Sequence, residues 1–154
     1  MIQRIQTLYL LLATICIGAM LLLPLAGYTD GTTEYILKAF MITDSEGTAV
    51  QPAIYMGILL ALSALVPFVT IFLFKNRLLQ IRLCVAELVL LVGSQIMVGI
   101  YVYLACRAVK ELPFGAASIE VWTALPLAAI IFIVLALRAV FRDEMLVRSL
   151  NRIR

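Results

Sequence analysis

Glu87 is the one acidic or basic side chain in the apolar run from Leu83 to Cys106, and Ser94 and Tyr101 follow it at seven-residue steps, with Gln95 alongside. Seven residues make two helical turns, so Glu87, Ser94 and Tyr101 share a helix face. A carboxyl group within such a run is costly in a bilayer and by default marks a proton or ion pathway, or a partner. The competing reading is a polar seam between helices, worth on the order of 0.6 kcal/mol per hydrogen bond. Counted from Leu83, Glu87 lies only about 6 Å inside the run. At that depth snorkelling or an ion pair with a nearby Arg satisfies it, so the spacing favours a seam facing the interior of a bundle.

Other reactive chemistry is sparse. The chain has no histidine, which removes His-ligated haem, His-containing zinc sites and every His-based dyad or triad. Cys16, Cys84 and Cys106 form no C-x-x-C pair and read as small apolar packing residues. No phosphate-binding loop, nucleophile elbow, metalloprotease pair or dinucleotide fingerprint is present. An intramembrane aspartyl protease needs two carboxylates at one site, and only Glu87 is near the interior. The expectation is a protein that is not an enzyme and has no catalytic, cofactor or metal site. Pro67, inside the second apolar run, is the candidate hinge, with a bend expected near Ser63 and Ala64.

Four such runs must position these groups: 7–27, 53–74, 83–106 and 121–141. Each is about as long as a hydrocarbon core is thick, about 30 Å at 1.5 Å per residue. With 64% hydrophobic and 14% charged residues, the chain lies far from soluble domains. The connections are too short for an independent catalytic domain, so 1–154 reads as a single membrane domain. A cleaved signal peptide competes for the first run, but cutting after Ala26 puts Pro24 where a small residue belongs. The net charge of +3 does not point to nucleic acid, because the basic residues flank apolar runs instead of lining one face.

Orientation follows from those flanks. Arg4, Lys75, Arg77, Arg82, Arg138, Arg142, Arg148, Arg152 and Arg154 fall on the side of the termini and the 75–82 loop, against Lys38, Arg107 and Lys110 opposite. That asymmetry places both termini in the cytoplasm. Trp122, Tyr28, Tyr55, Tyr103 and Phe114 fall near the external span ends, as an aromatic belt requires. External loops are then 28–52 and 107–120. In the first, turn signals at Asp30-Gly31 and Asp44-Ser45-Glu46-Gly47 flank a strand read over 34–42, with a short β-hairpin returning through Thr48 to Gln51. The tail 142–154 repeats Leu146, Leu150 and Ile153 at helical spacing and reads as an amphipathic helix. Its Arg142, Arg148, Arg152 and Arg154 are candidate contacts for anionic lipid headgroups or for a membrane-protein partner. Ile2, Ile5 and Gln6 are expected in the same interface.

The opening Met1-Ile2-Gln3-Arg4-Ile5-Gln6-Thr7-Leu8-Tyr9-Leu10-Leu11 and the closing Arg142-Asp143-Glu144, Leu146-Val147-Arg148-Ser149, Arg152 and Arg154 resemble an uncharacterised family of bacterial four-span membrane proteins, a domain of unknown function. The resemblance implies a bacterial cytoplasmic membrane and a retained first span, and it implies no reaction. The expected fold is therefore an all-α membrane protein, a four-transmembrane-helix bundle with a hairpin outside and an amphipathic helix at the C-terminus. The expected role is an accessory or assembly subunit of an envelope complex, in contact with partners or with copies of itself. The runner-up is a small transporter or proton-coupled carrier using Glu87.

Overall fold

A computed structural model describes residues 2–29, 31, 33–44, 46–73, 76–110 and 116–151. Four helices, α1 (Ile2–Leu22), α2 (Ile54–Phe72), α3 (Arg77–Lys110) and α4 (Leu125–Asn151), make up most of it. Each is long and apolar enough to cross a membrane. Each packs on its neighbour in sequence, and α4 closes the ring on α1, leaving the termini and the α2–α3 connection at one end.

The inward faces share one period. Buried residues are Gln6, Leu10, Ala13, Ile17 and Met20 on α1, and Met56, Leu60, Ser63, Pro67 and Thr70 on α2. On α3 they are Gln80, Cys84, Glu87, Leu91, Ser94 and Val98, and on α4 Ala129, Ile133, Ala136, Val140 and Asp143. Steps of three and four alternate in all four stripes, on α3 as far as Val98, beyond which buried Val102 follows at a further step of four; this is the 3.5-residue repeat of a left-handed supercoiled bundle. The outward faces are apolar: Leu8, Leu11 and Ile15 on α1, Ile58, Leu62 and Leu65 on α2, Val85, Val89 and Val92 on α3. A bundle in water carries charge on that face. Here the polar side chains turn inward and the aliphatic ones outward, as hydrocarbon solvent demands.

The other end carries a five-stranded antiparallel sheet, in the order β4 (Ala49–Pro52), β3 (Met41–Asp44), β2 (Glu34–Leu37), β1 (Ala26–Thr29), β5 (Ala116–Ile119). The glycines of both expected turns, Gly31 and Gly47, adopt positive φ, and the Gly47 N–H donates to the Asp44 carbonyl at 2.8 Å, while Asp30 and Ser45 lie outside the described residues. A further turn interrupts the run read as one strand, since the Lys38 N–H donates to the Met41 carbonyl and splits 34–42 into β2 and β3. The fold is thus mostly helical, not all-α, and the short hairpin is part of a larger sheet. β5, from the 107–120 loop, pairs with β1, Ala26 opposite Ile119 and Thr29 opposite Ala116. Leu25, Ala26, Tyr28 and Leu37 pack with Val98 and Val102, so the sheet rests on the part of α3 that projects toward it.

Several boundaries move. The first span ends at Leu22, because β1 takes the end of the 7–27 run. The third helix begins at Arg77 instead of Leu83, absorbing most of the 75–82 loop. The fourth begins with a 3-10 turn (Val121–Ala124), and α4 continues through Asn151, so the described part of the tail is helical, as a continuation of the span. Pro67 lies inside α2, which remains helical on both sides of it, without a break at Ser63 or Ala64. Tyr28 is buried in the sheet core instead of joining an aromatic belt; Tyr55, Tyr103 and Trp122 are exposed, and Phe114 lies outside the described residues.

Candidate functional site

Two hydrogen bonds set the level of the four helices at the terminal end. Gln6 Nε2 donates to Asp143 Oδ2 at 3.0 Å across α1 and α4, and Gln80 Nε2 donates to the Thr70 carbonyl at 3.5 Å across α3 and α2. Arg77 joins this layer through the Asp143 carbonyl at 3.3 Å. The Thr70 hydroxyl turns back on its own helix, to the Val66 carbonyl at 2.7 Å. Gln6, Thr70, Gln80 and Asp143 are all buried, so this end of the bundle is closed by a polar plug.

From the plug, two turns along each inward stripe lead to Ala13, Ser63, Glu87 and Ala136, all with 0% exposure. Seven residues at 1.5 Å put that level about 10 Å deeper. Neither Glu87 oxygen has a hydrogen-bond partner, and the Ser63 hydroxyl, two turns from Thr70 as Glu87 is from Gln80, has none either. Pro67, one turn along α2, has no N–H, so the Ser63 carbonyl also lacks its usual helical donor. Ala13 and Ala136 present only methyl groups, which leaves the carboxyl room on the axis. The next level toward the sheet, Ile17, Leu60, Leu91 and Ile133, is entirely aliphatic. It separates the oxygen-rich level from the sheet end.

This placement corrects the expectation that Glu87 snorkels or pairs with an arginine. α3 starts at Arg77, ten residues ahead of Glu87 or about 15 Å. The side chain faces the axis and meets no cation among the described residues. The polar seam is real as a face but not as one site. Ser94 is buried beyond the aliphatic level and donates to the Leu91 carbonyl of its own helix at 2.9 Å, making no interhelical bond. Gln95 is half-buried with Oε1 unpaired, and Tyr101 packs into the sheet-end cluster. Gln6 leaves the interface expected for it and enters the plug. Arg142 is exposed near the end of α4; Arg148 lies on that helix with its side chain outside the description, and Arg152 and Arg154 are outside the described residues.

Sequence reading missed Ser63, Thr70, Gln80 and Asp143. The signal was available, because Ser63–Thr70 and Gln80–Glu87–Ser94 repeat at seven, but Gln80 fell in a presumed loop. A carboxyl with a hydroxyl and a freed carbonyl at the same level of the bundle offers hard oxygen donors. Without a fixed partner it must hold a proton or meet a cation, because an isolated carboxylate in such surroundings is costly. Among the described residues no three His, Cys, Asp or Glu side chains gather as a metal site, and Cys16 and Cys84 are free thiols.

An apolar exterior, a polar axis and a sheet on one end define a helical protein built to the length and polarity of a membrane. The chain belongs to the family described as Domain of unknown function (DUF4293), whose model matches residues 2–153. Comparison with curated proteins gives no match.

Proposed function

We propose that the protein is an integral protein of the bacterial cytoplasmic membrane, termini inside, that is not an enzyme and works through Glu87 by taking up a proton or a small monovalent cation from the cytoplasmic end. The observation that carries this reading is a fully buried carboxyl group with both oxygens unpaired, level with a second unpaired oxygen. The positive flanks support the orientation. In this reading the proton or cation passes through the plug, whose polar side chains can exchange hydrogen bonds with it, since the next level toward the sheet is entirely aliphatic. The titratable groups nearest in the layering are Cys84, one turn away on α3, and the half-buried Cys16, one turn from Ala13 on α1, with Asp143 two turns away in the plug.

The accessory-subunit role competes, and its contact surface would be the sheet end. β4 is exposed along its length, the usual invitation to an added strand. Pro52 and the register shift opposite Ile42 and Thr43 blunt that edge, however, which weighs toward the carrier reading. The test is the purified protein in proteoliposomes, with infrared titration of the carboxyl band and uptake of labelled sodium. Wild-type protein is expected to show a carboxyl signal, or sodium uptake, that is lost in Glu87→Gln. A wild type with neither, together with a stable partner recovered from the native membrane in mild detergent, refutes the proposal in favour of the accessory role.

A further inference from the structure

On the outside of the bundle, near the terminal end, α3 and α4 leave a cavity of about 430 Å³ lined by Ile81, Val85, Leu137, Arg138, Phe141 and Arg142. Its composition is ordered. Ile81 and Val85 are one turn apart on α3, and so are Leu137 and Phe141 on α4, which makes two aliphatic or aromatic walls. Arg138 and Arg142 are also one turn apart and run along the same side of α4, where both are exposed. Among the described residues neither forms an ion pair, unlike Arg77, whose guanidinium is engaged with the Asp143 carbonyl.

We infer that this groove is a binding site for an anionic phospholipid of the leaflet on the side of the termini, its phosphate held by Arg138 and Arg142 and an acyl chain laid between Val85 and Leu137. Charge complementarity selects the head, since two unpaired guanidinium groups offer a fork of donors suited to phosphate oxygens. The walls select a lipid over a soluble anion. Val85 is 48% exposed and Phe141 55% exposed, so the groove opens onto the apolar exterior, where free phosphate finds no second contact and a hydrocarbon chain continues into its own solvent. The placement of Arg138 is explained at the same time. It interrupts the apolar exterior of α4 just short of the Ala136 level, a position that is costly unless its head reaches interfacial water or an anion such as a lipid phosphate. The site stands apart from Glu87, which faces the axis.

The experiment is native mass spectrometry of the whole protein in mild detergent, titrated with phosphatidylglycerol, with phosphatidylcholine and with inorganic phosphate. Wild-type protein is expected to hold one phosphatidylglycerol in preference to phosphatidylcholine and to ignore inorganic phosphate. Arg138→Gln with Arg142→Gln is expected to weaken phosphatidylglycerol binding about 30-fold, two surface cations at about 1 kcal/mol each. Arg138→Lys with Arg142→Lys guards against a misfolded variant and keeps most of the preference. Val85→Trp fills the groove and removes the bound lipid with every charge in place. Equal binding of the two lipids, displacement by inorganic phosphate, or a preference that survives the double Gln variant and disappears only on changing Arg148, Arg152 and Arg154 overturns the inference.

Discussion

Replacing Glu87 with leucine should make the protein more stable. The carboxyl is fully buried, at the level of Ala13, Ala136 and Ser63, and neither oxygen is hydrogen-bonded. A buried polar group without a partner costs about 1–3 kcal/mol, and leucine removes that cost while adding roughly one methylene of volume, which the small side chains Ala13 and Ala136 at the same level accommodate. For a chain of this length the gain corresponds to a rise in melting temperature of roughly 2 to 12 °C. Glu87→Ala separates the two contributions. It also removes the carboxyl but leaves on the order of 50 Å³ empty, costing about 1 kcal/mol at ~24 cal/mol per Å³, so its melting temperature should stay near that of the wild type. Leu91→Ala, in the aliphatic level one turn away, has no such compensation and should lose about 2–5 kcal/mol. The assay is thermal unfolding in detergent followed by far-ultraviolet circular dichroism. A Glu87→Leu protein that melts below wild type by more than about 1 kcal/mol would show that the carboxyl has a structural partner, and the reasoning behind the proposed function would fall with it. A group kept at a cost in stability fits a working role.

Gln6→Leu strips the buried Asp143 Oδ2 of its 3.0 Å donor and should destabilise by about 1–3 kcal/mol in the same melt, whereas an unchanged transition means the plug is open to water. Gly57→Ala drives a methyl group into the Phe40 ring and should cost about 1–3 kcal/mol, with much of that cost relieved when Phe40→Ala is added; additive effects in the double-mutant cycle would contradict the contact. Thr29→Cys with Ala116→Cys should form a disulfide on mild oxidation, detected by mobility on non-reducing gels, because the two positions face each other in the sheet; failure to form one argues against the β1–β5 register. A green fluorescent protein fused after Arg154 should fluoresce in intact bacteria, and an alkaline phosphatase fused there should be inactive, with the reverse pattern placing the terminus outside.

The four long apolar helices were legible because length and apolarity are local properties. The inward faces were not, for a reason special to this solvent. Leu8, Leu11 and Ile15 face outward and Leu10 and Ile17 inward on the same helix, so hydrophobicity alone cannot orient α1. What distinguishes the faces is the small and polar residues on the inner one, such as Ala13, Ser63, Gln80 and Ala136, read at steps of three and four. Glu87 was found as the odd residue in an apolar run, but its burial depended on where α3 begins, and the helix recruits Arg77 and Arg82 despite their charge. The first-loop turns were legible at their glycines. β5 was not, since Ala116-Ala117-Ser118-Ile119 has little strand propensity and owes its conformation to β1, far away in sequence.

The pairing of β1 with β5 also gives the chain an order of assembly. Each helical hairpin can enter a bilayer by itself, α1 with α2 and then α3 with α4, and the first delivers strands β1 to β4 with one flank of β1 still bare. That flank stays unsatisfied until the second hairpin carries Ala116–Ile119 across, and closing it locks the halves together at the sheet end. Pairing of β1 with β5 thus requires both hairpins to present their connecting segments on the same side, because a second hairpin inserted in the opposite direction would leave β1 without its mate.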